Sequence, residues 1–396
     1  MAYKTEMKFE LWMNLWYPYE PKCFGKAISY VTGETTSNNS LIKRKKPASV
    51  VVALSGGVDS AVAAASLRIE GWEVYGLHFL MSDSLSKRDE RTDVVKQVCE
   101  HLNIPLATLD LRETFHQRVI APFIDAYLKG LTPNPCVVCN QVIKFEFLFD
   151  YAKQHDIDYI ATGHYVRTRI KDKNGYFELL RGKDRHKDQS YFLHRLNPSF
   201  LSKTVFPVGE RTKDEVRRQA LEMKLPVHSV PESQEICFIP ENDYRLFIEK
   251  QRGPGVNKPG NIVNNRGEVL GQHMGAFRYT IGQRQGLGIA SHRPYYVKEI
   301  RPGTNEVVVG RKETLYLTRL ETNEFSWVAE VPARRVMDAQ AQIRYRHKPA
   351  SGRFEVISLD KVAFVFDEPQ WAVTPGQALV CYEGERVLGG GWITKA

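Results

Sequence analysis

The sequence predicts an α/β doubly wound, mostly parallel sheet, followed by a small β-rich central domain and a C-terminal β-barrel. Three observations predict this. A β-branched run, Ser49-Val50-Val51-Val52-Ala53, leads through a glycine turn into an alanine-rich helix. Strand-like and helix-like segments then alternate to about residue 240. From about Leu320, six short strand-like segments recur with turns between them, a pattern that fits a small barrel.

The first element carries the strongest signal. Leu54-Ser55-Gly56-Gly57-Val58-Asp59-Ser60 joins a buried strand to a helix start. Glycines let the backbone approach a ligand closely, and unpaired N–H groups at a helix N-terminus point at a phosphate. The Walker A pattern and its lysine are absent. Helix propensity is strong from Ser60 to Leu67, with Gly71 placed to end the helix.

Glu73–Leu80 reads as a second strand whose C-terminal end lies beside the loop, where open parallel sheets bind ligands. Phe79 near that end reads equally as a partner for adenine or as core. Apolar spacing predicts a helix over Asp93–Leu102, with Cys99 packed against its stripe. Leu106–Asp110 is a third strand, and Glu113–Lys129 a helix stopped by Gly130.

Two prolines then extend the loop Thr132-Pro133-Asn134-Pro135, and Cys136 and Cys139 fall at the start of the next helix. A helix N-terminus is expected to lower a thiol pKa, which suits a nucleophile or ligand. One Cys-x-x-Cys fits a redox pair or half a zinc site, and no second close pair completes four ligands. Asp158–Tyr165 reads as a strand ending at Gly163, whose backbone can approach a nucleotide; a tight turn with His164 at the surface fits as well. Lys173-Asn174-Gly175 marks a hairpin turn. The stretch Arg181 to Phe192, with Lys187, Asp188 and Gln189, suits phosphate or base contacts, though a solvated loop would look similar. Thr212-Lys213-Asp214-Glu215 is a capping box. Cys237, between apolar neighbours, reads alone as core.

Composition bounds the partners. The chain of 396 residues is long enough for two or three domains, and 55 Lys and Arg against 46 Asp and Glu give +9, which suits a polyanion such as RNA. No apolar run approaches the roughly 18 residues of a membrane span, so no membrane role is expected. Six cysteines, at 23, 99, 136, 139, 237 and 381, do not resemble a disulfide framework and favour a reduced, cytoplasmic compartment. The domains read as a flexible extension over 1–46 with no assignable function, a catalytic domain over 47–240, a central domain over 241–319 and a barrel over 320–396. Near the barrel's second strand, Arg344-Tyr345-Arg346-His347-Lys348 interleaves cations with an aromatic, useful for phosphates and stacked bases.

Taken together, these pieces resemble the tRNA-specific 2-thiouridylases, a family of PP-loop ATP pyrophosphatases. The marks are Ser55-Gly56-Gly57-Val58-Asp59-Ser60, Asn134-Pro135 ahead of Cys139-Asn140, Ala161-Thr162-Gly163-His164-Tyr165, and Lys187-Asp188-Gln189-Ser190-Tyr191. Cys237-Phe238-Ile239, Tyr279 to Gly288, Arg344-Tyr345 and Pro375-Gly376-Gln377 before Leu388-Gly389-Gly390-Gly391 complete them. Everything but the N-terminal extension falls within the resemblance.

The resemblance implies ATP-dependent 2-thiolation of the anticodon wobble uridine, through adenylation of the uracil C2 oxygen. ATP would lie on Ala53, Leu54, Ser55, Gly56, Gly57, Val58, Asp59 and Ser60, with Phe79 and Gly163 beside it, and Asp59 would hold Mg²⁺ or orient the phosphates. Cys237 would carry sulfur as a persulfide, Cys139 would be its nucleophilic partner, and the pair would end as a disulfide needing a reductant. Asn134, Pro135 and Cys136 would meet the target base, and His164, Lys187, Asp188, Gln189, Arg344, Tyr345 and Gln377 the tRNA. Partners implied are tRNA and a protein delivering persulfide or sulfide to a monomeric enzyme. One departure stands out: many members carry aspartate where this chain has Cys136. A third thiol beside Cys139 and Cys237 either supports a 4Fe–4S cluster with sulfide as donor, serves as a spare resolving thiol, or fills the aspartate's place.

Overall fold

Five parallel strands carry the glycine loop. They are β1 (Ser49–Ala53), β2 (Glu73–Leu80), β3 (Leu106–Asp110), β4 (Tyr159–Ala161) and β7 (Thr204–Val205), ordered β3-β2-β1-β4-β7. The structure, a computed structural model, describes residues 47–81, 85–171, 177–227, 236–239, 242–328 and 331–395. The N-terminal extension and the turn expected at 173–175 lie outside them.

The order follows from the sequence. Val50, Val51 and Val52 are fully buried in the central strand, the place for a β-branched run covered on both faces. Burying one such side chain contributes about 1.5–3 kcal/mol. Helix α1 (Val58–Ile69) buries Ala61, Ala63, Ala64 and Ala65, whose small side chains let it lie close to its neighbours. It packs in one cluster with Val50 and Val52 of the sheet and with Val216 and Ala220 of a later helix, Lys213–Glu222. Helix α2 (Leu85–Leu102) buries Cys99, as its stripe predicts. The helix expected over Glu113–Lys129 is broken by a π-helical turn at His116–Ile120 and resumes as α3 (Ala121–Leu128).

The cysteine segment is also split. A short helix, α4 (Pro135–Cys139), passes into a π-helical turn at Asn140–Phe145 and then into α5 (Glu146–Gln154). Helix α6 (Lys213–Glu222) starts on the predicted capping box, with Thr212 Oγ1 accepting from Glu215 N at 3.2 Å and Glu215 Oε2 accepting from Thr212 N at 2.6 Å.

Helix α7 (Tyr244–Arg252) leads into the central sheet, whose strands β8 (Gly260–Val263), β9 (Val269–His273), β10 (Tyr296–Arg301) and β11 (Glu306–Gly310) are ordered β10-β11-β8-β9. The six barrel strands are β12 (Tyr316–Trp327), β13 (Val336–Gln342), β14 (Ala350–Ser358), β15 (Lys361–Trp371), β16 (Ala378–Glu383) and β17 (Arg386–Lys395). They run β12-β15-β14-β13-β16-β17, and pairing of β12 with β17 closes them. The hairpin of β5 (Val166–Ile170) and β6 (Phe177–Arg181) lies in the catalytic half of the sequence but extends the barrel's sheet at β17. No described helix is long and apolar enough to cross a membrane.

Candidate functional site

The loop after β1 is shaped by its glycines and serines. Gly56 sits at φ +77°, a conformation that favours glycine. Gly57 caps α1 without a side-chain acceptor of its own. Ser60 is buried; its hydroxyl donates to Gly57 O at 3.0 Å and accepts from Ser55 N at 3.2 Å, which folds the loop back on the helix start. Leu54 and Val58 are buried beneath it, Ala53 is half-buried, and Ser55 is exposed. The buried His78 donates Nδ1–H to Leu54 O at 2.8 Å from the neighbouring strand; burial lowers its pKa, so it stays neutral in that role.

Asp59, the second residue of α1, is the polar centre of this end. Its Oδ1 accepts from Tyr165 OH at 2.7 Å and from Lys213 Nζ at 2.7 Å. Gly163 lies against the same turn: a Cβ there would fall 2.6 Å from Ser60 N and 2.7 Å from the Asp59 carbonyl carbon. Gln189 Oε1 accepts from Tyr165 N at 2.9 Å, so this residue, expected at the tRNA, holds the tyrosine that holds Asp59. Asp188 is likewise engaged within the protein, accepting from Gly182 N and Ser190 N, each at 3.0 Å, and from Ser190 Oγ at 2.9 Å. Lys187 beside them is half-buried. Phe79 is buried in the core.

The thiols lie at a second centre. Cys139 is buried, Cys136 half-buried and Cys237 exposed. All three are close enough for one thiolate to disfavour another: Cys237 raises the pKa of both Cys136 and Cys139. The lowered thiol pKa expected from a helix start is overturned. Burial pushes Cys139 up to about 12 and Cys136 to about 11, and a five-residue helix offers little dipole to oppose it. Lys144, on the π-helical turn, pulls both back down, a charge that spacing alone does not reveal. Cys237 does not behave as core. Its neighbours Phe238 and Ile239 are buried, and Phe238 meets Phe115 and Phe123 edge-on at 5.6 and 5.3 Å, which leaves the sulfur at the surface. Among the described residues no three His, Cys, Asp or Glu side chains form a group able to hold a metal ion.

The barrel meets the cysteine loop. Asn134 and Pro135 are buried, and the Asn134 side chain hydrogen-bonds Tyr191, whose hydroxyl donates to Ala378 O at 2.9 Å. Tyr345 is half-buried, with its ring 4.3 Å from that of Phe192, while Arg344 is exposed beside it. Gln377 Nε2 donates to Thr132 O at 2.9 Å. His164 is half-buried, bonded through Nδ1 to Thr162 Oγ1 at 2.9 Å and near the Phe145 ring; burial, then Lys144, lowers its pKa to about 3. The fold therefore gathers residues 134–139, 191–192, 344–345 and 377 at one junction, although they lie far apart in sequence. The sequence gives no site role to Tyr165, Lys144, His78 or Lys213, although Tyr165 closes one of the family marks. Only the capping box pointed near Lys213.

Three domain families match the chain in order: tRNA methyl transferase HUP domain over residues 48–241, tRNA methyl transferase PRC-barrel domain over 247–311, and aminomethyltransferase beta-barrel domain over 317–393. A protein of Carboxydothermus hydrogenoformans named tRNA-specific 2-thiouridylase MnmA is 46% identical over 373 residues, covering 90% of this chain and 99% of that one. Proteins of the same name from Geotalea uraniireducens and Acaryochloris marina are 45% and 42% identical, covering 90% and 87% of this chain and 97% and 98% of theirs.

Proposed function

This chain belongs to the tRNA-specific 2-thiouridylase family, and from that premise we propose how its own residues carry the reaction. It is a tRNA-uridine 2-sulfurtransferase that uses ATP. A uracil C2 oxygen leaves poorly. Attack of that oxygen on the α-phosphorus forms an O–P bond and breaks the bond to pyrophosphate. The oxygen can then depart from C2 as part of AMP. Gly56, Gly57 and Ser60, at the start of α1, would hold the departing pyrophosphate.

The terminal sulfur of a persulfide on Cys237 then bonds to C2 as AMP leaves. Cys139 attacks the inner sulfur, the S–S bond breaks, and 2-thiouridine separates from a Cys139–Cys237 disulfide. An external thiol supplies the two electrons that reset it. Alternatively Cys139 first releases sulfide, which attacks C2, with the same disulfide as product. The exposure of Cys237 suits loading by a sulfur-donor protein, and burial of Cys139 suits a step shielded from water. The observation that carries this reading is that Cys237 lies within electrostatic range of Cys136 and Cys139. Cys136 then fills a place at the base or serves as a resolving thiol, and no step passes through a cluster.

Asp59 fits a carboxylate that would hold Mg²⁺ with the ATP phosphates: its side chain is 33% exposed and both its hydrogen bonds fall on Oδ1. The ion would offset charge on the leaving pyrophosphate. The remaining assignments are that the enzyme works as a monomer in the cytoplasm, and that Asn134, Pro135, His164, Lys187, Arg344, Tyr345 and Gln377 border the tRNA.

The test is to incubate enzyme, ATP, a sulfur-donor protein carrying a persulfide, a reducing thiol and unmodified tRNA and look for 2-thiouridine by mass. Asp59→Ala and Cys139→Ala should each abolish product and leave tRNA binding nearly intact. A methylated product instead, as the domain-family descriptions would suggest, or wild-type activity in both variants, sinks the reading.

A further inference from the structure

We propose that Lys213 binds the phosphates of ATP directly, its ammonium donating to the triphosphate at the glycine loop while Tyr165 keeps the Asp59 carboxylate in place. This rests on the ATP reading above and adds a ligand-binding residue to it.

The lysine side chain is only 8% exposed, and its ammonium is 2.7 Å from Asp59 Oδ1. Burying an ammonium costs several kcal/mol unless it is paired, and apolar residues often replace such pairs without loss. An ion pair here is therefore poorly explained by stability alone, and the position of the lysine suggests what it does. Its backbone is fixed at the first turn of α6 by the capping box and by Lys213 N donating to Asp184 Oδ2 at 3.0 Å. From that anchor the side chain crosses to the start of α1. Asp59 occupies the second position of α1, where the helix presents its N–H groups, and Gly57 caps that end without a side-chain acceptor.

Charge makes the same point. A triphosphate approaching this helix start meets the Asp59 carboxylate, and repulsion between the two would oppose binding. An ammonium beside that carboxylate offsets it. The flexible stem of lysine would let the head turn from Oδ1 to a phosphate held at the helix start. Asp59 does not lose its orientation when this happens, because Tyr165 OH still donates to Oδ1 at 2.7 Å and Tyr165 is held by Gln189. The aromatic ring of Tyr165 lies 5.9 Å from the ammonium and lines its path.

A lysine that merely neutralised Asp59 would share the geometry but not the behaviour once Asp59 is uncharged. The experiment compares affinity for a non-hydrolysable ATP analogue in wild type, Lys213→Met, Asp59→Asn and the double variant, with thermal unfolding as a check on folding. Lys213→Met should weaken binding by about tenfold or more in both backgrounds, and Lys213→Arg should recover part of it. If Lys213→Met makes no difference in the Asp59→Asn background, the lysine serves only the aspartate and the proposal is overturned. If wild type does not bind the analogue at all, the ATP reading falls with it.

Discussion

The side-chain amide of Gln377, on the loop before β16, donates to the main-chain carbonyl of Thr132 at 2.9 Å, just ahead of Asn134. Thr132 N in turn donates to Pro375 O at 2.9 Å, so the barrel grips the cysteine loop on both backbone groups of one residue. The barrel thus sets the position of the loop from which α4 and Cys139 follow.

Gln377→Ala removes one of those two bonds. A typical hydrogen bond contributes about 1 kcal/mol, and a misplacement near 1 Å at reacting groups costs about a hundredfold. Single-turnover thiolation should therefore fall by roughly 5- to 100-fold, while the KM for ATP stays as in wild type. A change confined to tRNA affinity would show that Gln377 acts only as an RNA contact.

The thiols differ in access and in charge. Cys139 is 6% exposed with its pKa pushed up to about 12, whereas Cys237 is exposed. At about pH 8, iodoacetamide should label Cys237 well before Cys139, and Cys139 labelling should rise roughly tenfold per pH unit up to about pH 10. Stability follows the same shift. The folded state holds the thiol protonated, so its contribution is complete below the ordinary value of 9.0 and is lost as pH rises towards about 12. Equal labelling of the two cysteines, read by peptide mass spectrometry, would contradict this arrangement.

The sequence makes the sheet and barrel legible because their signals are local. Runs such as Val50-Val51-Val52 announce buried strands, and Thr212 with Glu215 announces the start of α6. The site is legible only as far as its motifs extend. Lys213 reads as a helix-start residue, since nothing local says that α6 lies beside α1. Cys237 reads as core because its apolar neighbours are visible, while the direction its sulfur faces is not. Asp188 and Gln189 are polar residues in a basic stretch and invite an RNA role; that their side chains also bond Gly182, Ser190 and Tyr165 depends on partners the sequence does not mark. The π-helical turn that brings Lys144 near the thiols leaves no periodicity to detect.

Gly163 tests the nucleotide end independently. An added Cβ would lie 2.6 Å from Ser60 N and 2.9 Å from Asp59 O, contacts with backbone that has no flexible end to yield. Gly163→Ala should push β4's end away from α1 and distort the anion site. The KM for ATP is expected to rise by about tenfold or more, with tRNA affinity little changed. Wild-type KM would mean that the loop tolerates the displacement and that Gly163 does not shape the ATP site.

Arg344 tests the opposite end. Its guanidinium is exposed beside Tyr345, which packs on Phe192 with ring centres 4.3 Å apart. A rigid aromatic base holds the residue at the junction of barrel and cysteine loop, where an RNA backbone would pass on its way to Asn134. If Arg344 meets a phosphate, Arg344→Ala should weaken tRNA binding at low salt, and the slope of log affinity against log salt should become shallower by about 1. His164 adds no competing salt or pH effect in the neutral range, because its pKa is lowered to about 3 and it stays uncharged. Titrating tRNA into wild type and variant across a salt series measures the slope directly. A weaker affinity with an unchanged slope would place Arg344 against a base or a protein neighbour instead of a phosphate.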